Sequence, residues 1–171
     1  MYFNAALRVV RQLLGPSGET ACRTELGLGR YIDIFNYPVR EFLQIIGYLG
    51  AAPTATMSVE QAYQRVGTEA AEAFLTSATG RTLLMVVGKN VRRSLVSVPA
   101  AYGAMVTFGT RRVEFEGAST ARVHFAADLL AGCYHAEILE GGCSAILGSP
   151  VRVAYRQLTA FASECEVTWP G

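Results

Sequence analysis

The sequence predicts an α+β fold in which N-terminal helices precede an antiparallel sheet packed against a late helix. Three observations carry that expectation. Apolar residues recur at helical spacing up to Pro99. Beyond it the spacing shortens to two, with Val113 and Phe115, then Ala121, Val123 and Phe125, alternating with polar residues. A glycine-interrupted helical segment, YHAEILEGGCSAILG, then leads into two apparent strands, VRVAYR and AFASECEVTW. With 171 residues the chain suits one domain spanning positions 1–171.

From Tyr2, the residues Phe3, Leu7, Val10 and Leu14 form one apolar helical face, which Gly15 and Pro16 end. A polar segment follows, and Gly27 and Gly29 punctuate it as a turn, because neither GxGxxG nor GxxxxGK follows a strand. Pro38 suits a first helical position before the apolar run Phe42 to Leu49. Ser58 and Gln61 have capping-box spacing, so a helix starts there and runs through Val66 and Phe74 to about Thr79. For RTLLMVVG, periodicity does not separate a short helix from a strand. Gly117 to Thr120 turns a hairpin, and Gly148 and Pro150 stop the late helix. In the last strand Phe161, Cys165, Val167 and Trp169 share the core side, a row that Ser163 interrupts.

Composition excludes several function classes. Apolar types make up 51% of the chain and charged types 17%, which implies a well-filled core or an additional buried surface, either a pocket or a subunit interface. The net charge is +1 and the cations, all arginine except Lys89, are scattered, so there is no footprint for nucleic acid. The charge-free run Phe42 to Val59 is broken by Gly47, Gly50 and Pro53 and carries Gln44, Thr54, Thr56 and Ser58, so no membrane span is expected. Arg8 and Arg11 interrupt the N-terminal apolar pattern where a secretory signal needs none, and a cytoplasmic location is expected. Cys22, Cys133, Cys143 and Cys165 are too sparse for a disulfide scaffold and read as small buried hydrophobes.

Five segments in order, YPVREFLQII, EQAYQRVGTEAAEAF, TGRTLLMVVG, SVPAAY and YHAEILEGGCSAILG, resemble a family of unknown function expanded in myxobacteria. The helix-strand-strand ending is also similar, more distantly, to vinyl-reductase-type sensor domains, haem-nitric-oxide-binding domains and trafficking-complex subunits. The resemblance implies a shared architecture that binds hydrophobic small molecules, haem or other proteins. In the sensor domains a final cysteine and another eight residues upstream help to hold zinc; here Cys165 keeps the first, but Gln157 stands at the second. The haem-binding relatives use an axial histidine with a Tyr-x-Ser-x-Arg element, which this sequence lacks. Neither metal nor cofactor is therefore expected, and His124 and His135 read as structural.

Two adjacent glycines inside a helix cost roughly 1 kcal/mol each relative to alanine, so Gly141 and Gly142 call for a reason. One is close approach of the late helix to a sheet or another helix; the other is a ligand against bare backbone. The expected function is a non-catalytic binding module, with a sensor or adaptor role, for a hydrophobic small molecule or a partner protein. Its site would lie between the late helix and the sheet, lined by Tyr102, Tyr134, Ile138, Gly141 and Gly142, with a homodimer among the expected assemblies. The competing class is a small enzyme acting on an apolar substrate through Cys133 or Cys143. Glu137 with Glu140 as a carboxylate pair, and Arg92-Arg93 with Arg111-Arg112 as an anion grip, complete the candidates.

Overall fold

The structure, a computed structural model, describes residues 2–32, 37–52 and 56–171. Helix α1 (Tyr2–Glu25) consists of two segments joined at Gly15, whose φ of 75° breaks the helical backbone where the Gly15-Pro16 pair predicts. The second segment was not legible as a helix because Cys22 is its only fully buried residue, so no apolar stripe announces it. Helix α2 (Val39–Ala51) starts one residue after Pro38 and buries Phe42, Ile45, Ile46 and Leu49. Pro53 and Thr54, invoked against a membrane span, lie outside the described residues.

Helix α3 (Val59–Thr76) carries the reciprocal capping box, with Gln61 N donating to Ser58 Oγ at 3.1 Å and Ser58 N donating to Gln61 Oε1 at 2.8 Å. It ends before Thr79 because Ser77 is extended there and caps the next helix, accepting from Gly80 N at 3.0 Å. RTLLMVVG thus belongs to α4 (Ala78–Val87). Helix α5 (Val91–Met105) is capped by Asn90, which accepts from Arg93 N at 2.8 Å, and runs through Pro99. The expected change of period at Pro99 is corrected: burial of Leu95 on one side and Tyr102 on the other carries the helix past the missing N–H.

Strands β1 (Thr110–Phe115), β2 (Thr120–Ala126), β3 (Arg152–Thr159) and β4 (Ala162–Thr168) form an antiparallel sheet in the order β1-β2-β4-β3. Ala121, Val123 and Phe125 face inward beside Ser163, Cys165 and Val167. The outer face pairs Arg122 with Glu166 at 3.0 Å and sets His124 opposite Glu164. Phe161 departs from expectation: it sits in the β3–β4 turn, 58% exposed, and buried Ser163 takes the inward position.

Between β2 and β3 the chain forms α6 (Gly132–Leu147), which buries eight residues on several of its sides and is correspondingly central. Tyr134 packs into a core shared with α1, α2 and α3, while Ala136, Leu139, Cys143 and Ile146 join a second core with the sheet, α4 and α5. The tightest approaches between α6 and its neighbours are made by glycines other than the expected pair. A Cβ on Gly67 of α3 would lie 2.8 Å from the Tyr134 carbonyl oxygen, and one on Gly132 would lie 2.9 Å from Ser163 Cβ. Among the described residues, no helix is long and apolar enough to cross a membrane.

Candidate functional site

A cavity of about 80 Å³ opens among α1, α3, α4, α5 and α6. An apolar cavity of about 150 Å³ takes up benzene, so a space about half as large has room for a guest of about three or four heavy atoms. Phe74 and Leu75 end α3 at its wall, α4 adds Leu83 and Leu84, and α5 adds Val98. Ser97 also lines it but turns its hydroxyl onto the Ser94 carbonyl at 2.6 Å, so the wall it presents there is methylene rather than a free donor. Among the described residues, no charged side chain lines the cavity.

Of the five residues expected to line the site, Tyr102, Ile138 and Gly142 meet at this cavity, and the candidate nucleophile Cys143 joins them. A Cβ on Gly142 would find no atom within 4 Å, so the bare backbone there borders free space. Gly141 instead faces Ala71 of α3, with 3.0 Å between its notional Cβ and the alanine methyl. Tyr134 lies outside the lining, fully buried among the rings of Phe42, Tyr63 and Tyr2. The cavity does not lie at the expected position between α6 and the sheet: the residues that line it all come from helices, and α6 meets the sheet through Gly132 at one end and packed apolar side chains beyond it.

At the end where α1 meets α5, the cavity has a polar rim that sequence reading missed. The Tyr2 hydroxyl donates to Met105 Sδ at 2.8 Å. Tyr102 places its hydroxyl 3.2 Å from Nδ1 of His135, whose Nε2 is 3.5 Å from Asp128 Oδ1, an electrostatic contact too long for a good hydrogen bond. Asp128 also accepts from Leu130 N at 2.9 Å and pairs with the Arg111 guanidinium, which donates in addition to the carbonyls of Phe108 and Gly109. The His135 ring stacks on Phe125 at 3.9 Å. Burial pushes the His135 pKa down against the pull of Asp128, and the net direction is downward, so the ring is neutral. With Nε2–H directed at the carboxylate, Nδ1 is left to accept from Tyr102. Burial pushes the Asp128 carboxyl up, but His135, the Leu130 N–H and Arg111 outweigh it and the net shift is downward. Burial keeps Tyr2, Tyr102 and Tyr134 protonated, and the Tyr134 hydroxyl has no partner.

The remaining candidates separate. Burial raises the Cys133 thiol to about 11 and the Cys143 thiol to about 12, the reverse of what a nucleophile needs. Glu137 accepts from the Thr68 hydroxyl at 2.9 Å while Glu140 accepts from Val153 N at 3.0 Å, so the two carboxylates serve different neighbours. The arginine doublets do not converge: Arg92 lies over the Phe115 ring at 3.9 Å, Arg111 is buried on Asp128, and Arg112 pairs outside with Glu114 at 2.6 Å. Gln157 ties α6 to the β3–β4 turn, accepting from Gly132 N at 2.8 Å and donating to the Thr159 carbonyl at 2.7 Å. Among the described residues, no group of three His, Cys, Asp or Glu side chains is placed to hold a metal.

The model of the family described as "Protein of unknown function (DUF2378)" matches residues 1–170. This chain belongs to that family. No curated protein matches the DUF2378 chain by sequence. Among solved structures it is similar to the Fe(II) unliganded H-NOX protein from K. algicida, at 13% identity over 98% of this chain and 94% of that one, with a TM-score of 0.73. It is similar also to an H-NOX protein from S. oneidensis in the Fe(II)NO ligation state, at 11% identity over 99% and 98%, with a TM-score of 0.77. An oxygen-binding H-NOX domain related to soluble guanylate cyclases matches at 11% identity over 97% and 92%, with a TM-score of 0.73. These likenesses show that the DUF2378 chain has the H-NOX-like fold.

Haem, which that fold implies, does not fit the residues present. Neither histidine lines the cavity: His135 is held between Tyr102, Phe125 and Asp128, and His124 stands on the outer sheet face, 3.1 Å from Glu114. A cavity of about 80 Å³ is far below the roughly 300 Å³ and more that larger ligands occupy. Cys143, the thiol on its wall, is held protonated by burial.

Proposed function

We propose that this protein is a non-catalytic binding module, with a sensor or adaptor role, that takes up a small apolar molecule in the helical cavity beside Gly142. The carrying observation is an apolar space bordered by a helical glycine with nothing within 4 Å of its missing side chain. Glycine costs roughly 1 kcal/mol there relative to alanine, and free volume forfeits dispersion contacts that a guest restores. The structural neighbours, described in nitric-oxide and oxygen complexes, support the reading in that their fold accommodates small ligands. A guest of four heavy atoms is limited to about −6 kcal/mol, or Kd values of roughly 40 μM and weaker.

Xenon-129 NMR of the purified chain tests this. Xenon enters the wild-type cavity, giving a shifted resonance and perturbing methyl signals of Ile138 and Val98, and both effects vanish in Gly142→Leu, which fills the space. An unshifted xenon resonance in the wild type, or one that Gly142→Leu leaves intact, refutes the reading. A partner protein or second copy has its own supporting observation, since Met85, Val86 and Val96 are exposed apolar residues of α4 and α5. A wild-type dimer that Met85→Glu converts to monomer is the result expected of that alternative.

A further inference from the structure

We infer that the cavity's natural guest is a small neutral molecule with one hydrogen-bond acceptor, of the short ketone or ether class, whose oxygen is held by the Tyr2 hydroxyl. The inference rests on the cavity reading above and adds to it the chemistry of the guest. The wall is apolar except at Ser94 and Ser97 of α5 and at the α1–α5 end, where Tyr2, Tyr102 and Met105 meet. Tyr102 is committed, its hydroxyl being tied to His135 Nδ1 at 3.2 Å. Tyr2 is not comparably engaged: its hydroxyl donates to a thioether sulfur, among the weakest acceptors a protein offers. A carbonyl or ether oxygen entering the cavity replaces that partner with a better one. Met105, unbranched and polarizable, can swing aside at little cost.

Charge selects a neutral guest. Arg111 lies over the Tyr102 ring at 5.0 Å but is already engaged by Asp128 and the carbonyls of Phe108 and Gly109, leaving no free cation for an anionic guest. Among the described residues, no carboxylate lines the wall to receive a cationic one.

Acetone and isobutene, equal in shape and differing in one oxygen, provide the test. Methyl-detected NMR titration of both into the full chain measures Kd in wild type, Tyr2→Phe, Met105→Leu and Gly142→Leu. Tyr2→Phe is expected to weaken acetone by about five- to tenfold, the worth of one hydrogen bond, and to leave isobutene within about twofold. Met105→Leu, which conserves volume and removes the competing sulfur, tightens acetone alone. Acetone binding that ignores both substitutions, or binding of isobutene alone, overturns this inference while the cavity reading stands. If neither probe gives binding that Gly142→Leu abolishes, the cavity reading fails and this inference fails with it.

Discussion

Alanine placed in turn at Gly142, Gly141 and Gly67 isolates what each helical glycine does, because the intrinsic helix gain is the same at all three, about 1 kcal/mol in favour of alanine. At Gly142 the new methyl meets nothing within 4 Å, so the gain is kept and the protein is stabilised by about 1 kcal/mol. At Gly67 the methyl would lie 2.8 Å from the Tyr134 carbonyl oxygen and 2.9 Å from Glu137 Cβ. A backbone oxygen fixed in the first turn of a helix cannot step aside by itself, so α3 and α6 must separate. Overpacking of that kind costs about 1–3 kcal/mol, which cancels or exceeds the helix gain and leaves a net loss of up to about 2 kcal/mol. Gly141, 3.0 Å from the Ala71 methyl, falls between them, near zero. For a chain of this length each kcal/mol moves Tm by about 2–4 °C, so thermal unfolding followed by circular dichroism separates Gly142→Ala from Gly67→Ala by several degrees, in that order. Equal midpoints for these two variants would refute the close helix contact and the free space together.

Further expectations concern the buried polar groups. Asp128→Asn leaves the Arg111 guanidinium buried without its counter-charge, and urea unfolding should show a loss of about 3–5 kcal/mol. His135 is a base whose folded pKa lies below its ordinary 6.5, so the unfolded chain binds the extra proton first as pH falls. Stability is therefore constant above about pH 6.5 and declines below it until the folded pKa is reached. Asp128, depressed from its ordinary 3.8, adds a second decline as pH falls through its folded value. Denaturant midpoints measured from pH 8 to 4 should show the first decline in wild type and not in His135→Phe; a flat wild-type profile contradicts a neutral buried ring. A thiol raised from 9.0 to about 11, as at Cys133, holds roughly a hundredth of the usual thiolate at neutral pH. Native labelling with a maleimide should accordingly be slow at all four buried cysteines, and fast modification of Cys133 or Cys143 would restore the cysteine-enzyme alternative.

How much was legible varied with the range of the interaction involved. The capping box at Ser58 and Gln61, the break at Gly15-Pro16 and the hairpin turn at Gly117 to Thr120 depend on residues a few positions apart, and the structure places them where local chemistry predicts. Helix α5 was obscured because Pro99 mimics a terminus, and the second part of α1 because a mostly exposed helix has no apolar stripe. The glycine pair was visible, yet its two members do different things: Gly141 accommodates α3 and Gly142 borders the cavity. That distinction depends on the rotation of α6 against neighbours whose identity spacing alone does not reveal.

The amino-acid order by itself determined the class of fold, the order of a helical part before a sheet with a late helix and the absence of a basic nucleic-acid footprint, because each follows from periodicity, caps and composition along a contiguous stretch. Only the tertiary structure decided which side of α6 is hollow, that Tyr2 meets Met105 across 103 positions, and that Arg111, Asp128, His135 and Tyr102 form one buried chain. These are outcomes of how helices and sheet pack in space. A residue's partner across the core is set by that packing, which no short segment encodes.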